Sequence, residues 1–125
     1  MSTVNVRYIA NDVNAAVEFY SEKLGFKVEA HPAPGFALLS KGNLRLFVNA
    51  PGAGGAGAAM SDGTAPQPGG WNRFQLEVDD LSSTVRELKK KGAKFRNEII
   101  EGKGGKQALL EDPSGNPIEL FESTR

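Results

Sequence analysis

The chain makes the same structural statement twice. A strand-like run, "TVNVRYIA" (3–10), leads into "NDVNAAVEFYSEKLGF", where Val13, Ala16, Val17, Tyr20 and Leu24 recur at the spacing of one helical face. Sixty-eight residues later, "WNRFQLEV" leads into "DDLSSTVRELKKKG", with Leu81, Thr84, Val85 and Leu88 matching Val13, Ala16, Val17 and Tyr20. Asn11 or Asp12 can cap the first helix and Gly25 can end it. Three short alternating runs follow each helix: "FKVEAH", "GFALLS" and "NLRLFVN", then "AKFRNEI", "KQALLE" and "NPIELFE". A Gly-Asn pair, Gly42-Asn43 or Gly115-Asn116, stands before the last run of each set. A repeat on this scale weighs more than any single propensity, and it implies two copies of β-α-β-β-β.

The expected fold class is therefore α+β, one domain over 1–125 built from module one (1–50) and module two (71–125). Between them lies "PGAGGAGAAMSDGTAPQPGG" (51–70), with seven Gly, three Pro and five Ala. That composition predicts a flexible linker with no regular element; a mobile lid is the alternative. At 125 residues the chain can bury a genuine core. Fifteen basic and fifteen acidic residues cancel, so no basic field draws in nucleic acid or an anionic membrane. Neutrality also removes one barrier to self-association, and a homodimer is expected. Cysteine is absent, which excludes disulfides and thiolate chemistry. With no signal-like start and no long apolar run, the chain reads as a cytoplasmic protein.

The pattern D-x-x-x-A-x-x-F-Y-x-x-x-L-G-F (Asp12 to Phe26) and the closing "DPSGNPIEL" (112–120), set in duplicated βαβββ modules, resemble the vicinal oxygen chelate superfamily. That group comprises glyoxalase I, extradiol dioxygenases, fosfomycin-resistance enzymes and bleomycin-resistance proteins. The resemblance implies that the modules curl a mixed sheet around a cleft, with the helices outside. It also implies metal ligands, typically His and Glu, on the first and last strands of the modules. Seven residues before the Asp that opens each helix stand Asn5 and Arg73, and the Gly-Asn turns align Leu46 with Glu119. Of these four only Glu119 is a good ligand, since Leu cannot coordinate, Asn is weak and Arg is a permanent cation. The sole histidine, His31, reads as an exposed turn residue at the end of the second strand. No metal and no other cofactor is expected, and a divalent metal would need ligands such as Glu77 beside Glu119.

Strand alternation sets the facings. Phe74, Leu76 and Val78 should pack under their helix, turning Arg73, Gln75 and Glu77 to the other face. Val6, Tyr8 and Ala10 should pack likewise, leaving Asn5, Arg7 and Ile9 to face into the cleft; Ile118 and Leu120 pack while Glu119 and Phe121 face in. Because the resemblance puts first and last strands side by side, Arg73 is expected to pair with Glu119. The candidate cleft is Asn5, Arg7, Leu46, Trp71, Arg73, Gln75, Glu77, Glu119 and Phe121. Trp71, following the Gly/Pro segment, would add a stacking surface. "GKGGK" (102–106) lacks a phosphate-loop context and reads as a hairpin tip. The function these residues suggest is metal-free binding of a small organic molecule. The alternatives are a metal-dependent lyase, isomerase or dioxygenase of the glyoxalase type, or a metal-free enzyme with Glu119 as catalytic general base.

Overall fold

A computed structural model describes residues 3–124. The chain forms two compact units, Met1–Gly69 and Gly70–Arg125, each with a mixed sheet and a helix packed on one face. In the first unit, β1 (Val4–Ile9) leads to α1 (Val13–Leu24), then β2 (Lys27–Ala33), β3 (Phe36–Lys41) and β4 (Leu44–Asn49). The sheet order is β1-β4-β3-β2, with β1 and β4 parallel and the other pairs antiparallel.

Asp12 starts α1 by accepting the Ala15 amide at 3.0 Å, and Gly25 ends it in the left-handed region at φ 73°. Val13, Ala16, Tyr20 and Leu24 are buried as their spacing predicts, against a sheet face that includes Ala37, Leu39, Leu46 and Val48. Val17 is only half-buried, and Phe19 is buried in its stead. The Phe19 ring meets Tyr20 edge-on at 5.1 Å, and Tyr20 meets Phe26 at 5.4 Å. A long aromatic side chain reaches the core from a flanking position where valine cannot.

β2 continues past His31 through Pro32 to Ala33, so His31 lies on an exposed strand rather than in a turn. β2 is the edge of its sheet, and an edge tolerates proline because its missing N–H faces solvent. The 51–70 segment also departs from expectation, for it holds a helical turn, α2 (Gly54–Gly57). Gly57 donates to Ala53 O at 3.0 Å, and Asn49 Nδ2 donates to the same carbonyl at 3.3 Å. Gly57 is buried so tightly that a Cβ there would stand 2.3 Å from Ala50 O. Glycine thus disfavours long helices here but permits a closely packed turn.

The second unit contains β5 (Gln75–Glu77), α3 (Leu81–Lys90), β6 (Lys94–Phe95), β7 (Ile100–Glu101), β8 (Gly105–Glu111) and β9 (Pro117–Ser123). Its order is β5-β9-β8-β6, with β7 also pairing β8. Asp80 caps α3 through the Ser83 amide at 3.0 Å, and Leu81, Val85 and Leu88 are buried beside a core that includes Leu110, Ile118 and Leu120. Of the strand expected over "AKFRNEI" (93–99) only β6 forms, and β7 follows just beyond it. Asn97 Oδ1 accepts the Leu109 amide at 2.9 Å, so a side chain replaces a backbone carbonyl in the ladder and the pairing breaks there. Gly102 N donates to Gly105 O at 2.8 Å, closing the hairpin tip expected at "GKGGK". Among the described residues no helix is long and apolar enough to cross a membrane.

Candidate functional site

The turn before β9 organises itself. Asp112 is buried, and its Oδ1 accepts the Ser114 and Asn116 amides at 2.9 Å while Oδ2 accepts Asn116 Nδ2 at 3.0 Å. Gly115 supplies the left-handed step at φ 84°. β9 then runs parallel to β5, with Gln75 opposite Glu119, Leu76 opposite Leu120 and Glu77 opposite Phe121. Leu120 is buried with the core beside α3, so Gln75, Glu77, Glu119 and Phe121 occupy the face turned away from the helix. Arg73 joins them, because the pairing extends one step beyond β5 through Glu119 N donating to Phe74 O at 3.0 Å.

On that face Arg73 and Glu119 form the expected pair. Arg73 Nε and Nη2 both donate to Glu119 Oε1, at 3.1 and 2.9 Å, and Gln75 Nε2 donates to Oε2 at 2.7 Å. Glu119 is only 8% exposed, and burial of a carboxylate demands such partners. Three of its roughly four lone-pair sites are taken. The Phe121 ring lies close against Gly105, where a Cβ would stand 2.8 Å from it. Glu77, at the far end of β5 on this face, lines a cavity of about 370 Å³ with Val78, Asp79, Glu122 and Ser123.

Trp71 lies at 69% exposure, and its carbonyl accepts Arg73 Nη1 at 3.1 Å. Its ring lies over the Arg96 guanidinium, 4.7 Å from the centroid. Arg96 in turn donates to Glu111 Oε2 at 2.8 Å, Gly70 O at 2.8 Å and Gly115 O at 2.9 Å. No local signal marks this clamp, since an arginine in an alternating run is ordinarily a solvated one.

In the first unit, Asn5 and Arg7 take the helix-free face as alternation implied. Arg7 Nη1 donates to Asn49 Oδ1, and its guanidinium lies 4.9 Å from the Phe47 ring centre. Leu46 does not join them. It stands opposite Val6 and is fully buried on the helix side, so its assignment to the cleft is corrected. Phe47, opposite Arg7, holds the place that Glu119 has opposite Gln75, since Arg7 and Gln75 are the same 68 residues apart as the helices. The Gly-Asn turns launch β4 and β9 from starting points one residue apart relative to the first strands, and a one-residue slip turns every side chain over.

The residues at the superfamily's ligand positions do not suit a divalent cation. Asn5 is a weak ligand, neither Leu46 nor Phe47, which takes its place on this face, has a donor atom, Arg73 is a permanent cation, and Glu119 is already committed to Arg73 and Gln75. Among the described residues no group of three or more His, Cys, Asp or Glu is gathered to hold one.

Two βαβββ units in tandem define the architecture of the vicinal oxygen chelate proteins. The profile of the Glyoxalase/Bleomycin resistance protein/Dioxygenase superfamily matches residues 3–120, and the chain belongs to that superfamily. A glyoxylase-like domain-containing protein of Didymella fabae is 33% identical over 91 residues, covering 73% of this chain and 68% of that protein. A probable chloroplastic lactoylglutathione lyase of Arabidopsis thaliana is 44% identical over 55 residues, covering 42% of this chain but only 16% of the lyase. Among solved structures, lactoylglutathione lyase of Agrobacterium tumefaciens aligns with a TM-score of 0.75 at 18% identity, covering 97% of this chain and 92% of that one. TnmS3, an antibiotic-binding protein of Streptomyces sp. CB03234, aligns at 0.74 and 22% identity over 99% and 98% of the two chains. At these identities the structural likeness speaks for the fold alone.

Proposed function

We propose that this protein binds a small organic molecule on the helix-free sheet faces and does so without the superfamily's metal. The observation that carries this reading is the Arg73–Glu119–Gln75 cluster, in which a guanidinium occupies a family ligand position and binds the one carboxylate there. Arg73 keeps 28% of its side chain exposed, enough to offer remaining N–H donors to a polar ligand group beside the stacking surface of Trp71. An antibiotic-binding protein, TnmS3, uses the same fold, which accords with such a role. Catalysis by Glu119 as general base fits less well, because a base needs a lone pair directed at the substrate proton and three are engaged.

The local identity to a lactoylglutathione lyase favours a metal enzyme as the second reading, and one experiment separates the two. Purified protein is incubated with Zn, Ni, Mn, Fe or Co, freed of unbound ion and analysed for metal content. The expected content is far below one ion per chain. Near-stoichiometric metal that disappears in Glu119→Gln would overturn the metal-free reading. The two edge strands of the first sheet expose apolar side chains, Val4 of β1 at 53% and Val28 of β2 at 40%, and we extend the proposal to a homodimer. Light scattering that gives a 13.3 kDa species would refute the dimer.

A further inference from the structure

The helix-free face of the first sheet carries two arginines, Arg7 and Arg45, that form no ion pair among the described residues. Register and alternation place Arg7 of β1, Arg45 and Phe47 of β4, and Leu38 and Phe36 of β3 on that face. The two guanidiniums lie over the same ring, 4.9 and 5.5 Å from the Phe47 centre. Each is within 5.5 Å of that centre, so the charges are no more than about 11 Å apart, roughly one Debye length at 0.1 M salt. Among the described residues neither arginine forms an ion pair. Glu29, the carboxylate of the adjoining β2, is engaged by Ser40 Oγ at 2.6 Å and Lys27 Nζ at 3.9 Å.

Arg7 is also held in place. Its Nη1 donates to Asn49, which is 4% exposed and is itself fixed through Nδ2 to Ala53 O. One of its five N–H donors is used, and Arg45 makes no side-chain hydrogen bond among the described residues. In the second unit the position opposite Gln75 is Glu119, which neutralises the nearby arginine; here the corresponding residue is Phe47, and the charge is left over. Phe47, with Phe36 at 6.1 Å and Leu38 beside it, supplies an apolar floor under the two forks of donors.

We propose that this face is an oxyanion site, taking a ligand with a flat or apolar body that carries a carboxylate or phosphate. Guanidinium geometry matches either group. The inference rests on the small-molecule reading above and adds the chemical class of the ligand and two residues, Arg45 and Phe47, that read its charge and body.

The test is a set of NMR titrations of the isotope-labelled protein at low salt with 1-naphthoate, 1-naphthyl phosphate and the neutral 1-naphthalenemethanol. Wild type, Arg7→Gln, Arg45→Gln and Arg73→Gln are compared. At least one anion should bind about tenfold or more tightly than the alcohol, the factor that 1.4 kcal/mol represents, and the tighter anion names the preferred oxyanion. Shifts should centre on β1 and β4, and the preference should fall in Arg7→Gln and Arg45→Gln but persist in Arg73→Gln. Arg45→Gln removes no hydrogen bond, so its fold should be intact. Alcohol binding with no preference for either anion, or a preference that survives both first-unit variants, would overturn the oxyanion site and leave the small-molecule reading standing. Failure of all three probes to bind would overturn both.

Discussion

Replacing Arg73 with alanine should cost more stability than replacing Glu119 with glutamine, although both break the same pair. The side chains keep 28% and 11% of their exposure respectively, so the carboxylate is the group that water cannot rescue. Arg73→Ala removes the two donors on Oε1 and leaves Gln75 as the remaining partner of a buried charge. Stripping one member from a fully buried pair costs about 3–5 kcal/mol; partial exposure of the arginine side lets some water in, and about 2–3 kcal/mol is expected here. Glu119→Gln discharges the buried group and leaves a partly solvated guanidinium, at about 1 kcal/mol. The double variant should lose less than the two singles added together, by about 1–2 kcal/mol, because no buried charge remains to be orphaned. Urea unfolding followed by far-ultraviolet circular dichroism, with Trp71 fluorescence as a second probe, gives all three values. A loss below about 0.5 kcal/mol for Arg73→Ala would mean that the pair behaves like an exposed one. Strict additivity in the double variant would show that the two residues are not coupled at all.

Gly57→Ala places a Cβ 2.3 Å from Ala50 O and should destabilise the first unit by about 2 kcal/mol or more; a neutral result in thermal unfolding would mean that α2 does not form. The Asp62 carboxyl, held below its usual range first by the Thr64 backbone amide and then by the Thr64 side chain, should titrate lower than a coil aspartate in carbon-detected NMR. Because that pKa is depressed, the turn is favoured above the coil value and is lost as pH falls through the folded one; an unshifted titration would return this segment to a plain linker. Arg96→Lys keeps the charge but cannot span Glu111, Gly70 and Gly115 at once. It should red-shift Trp71 emission, lower its anisotropy and reduce stability by about 1–2 kcal/mol.

The elements that were legible from the residues are those written in local periodicity. The apolar spacing of α1 and α3, their Asp caps, Gly25 and the self-bonded Asp112 turn all act within a few positions of one another, so the chain carries their signal wherever it folds. The facing of Arg73, Gln75 and Glu119 was legible for the same reason, since a period of two needs no knowledge of the rest of the molecule. Phe19 in place of Val17 was not, because how far an aromatic ring can reach depends on what it reaches into.

Taken by itself, the sequence determined two βαβββ units, the family they belong to, and a cation and a carboxylate on one face of the second sheet. The tertiary structure decided the rest. Alternation sets which residues share a face but not how two strands forty residues apart slide past each other, and a slip of one residue exchanged Leu46 for Phe47. That exchange is what leaves Arg7 and Arg45 over an aromatic ring with no ion-pair partner among the described residues. It is also what makes the first sheet face chemically different from the second, where the same position holds Glu119 and the charge is closed.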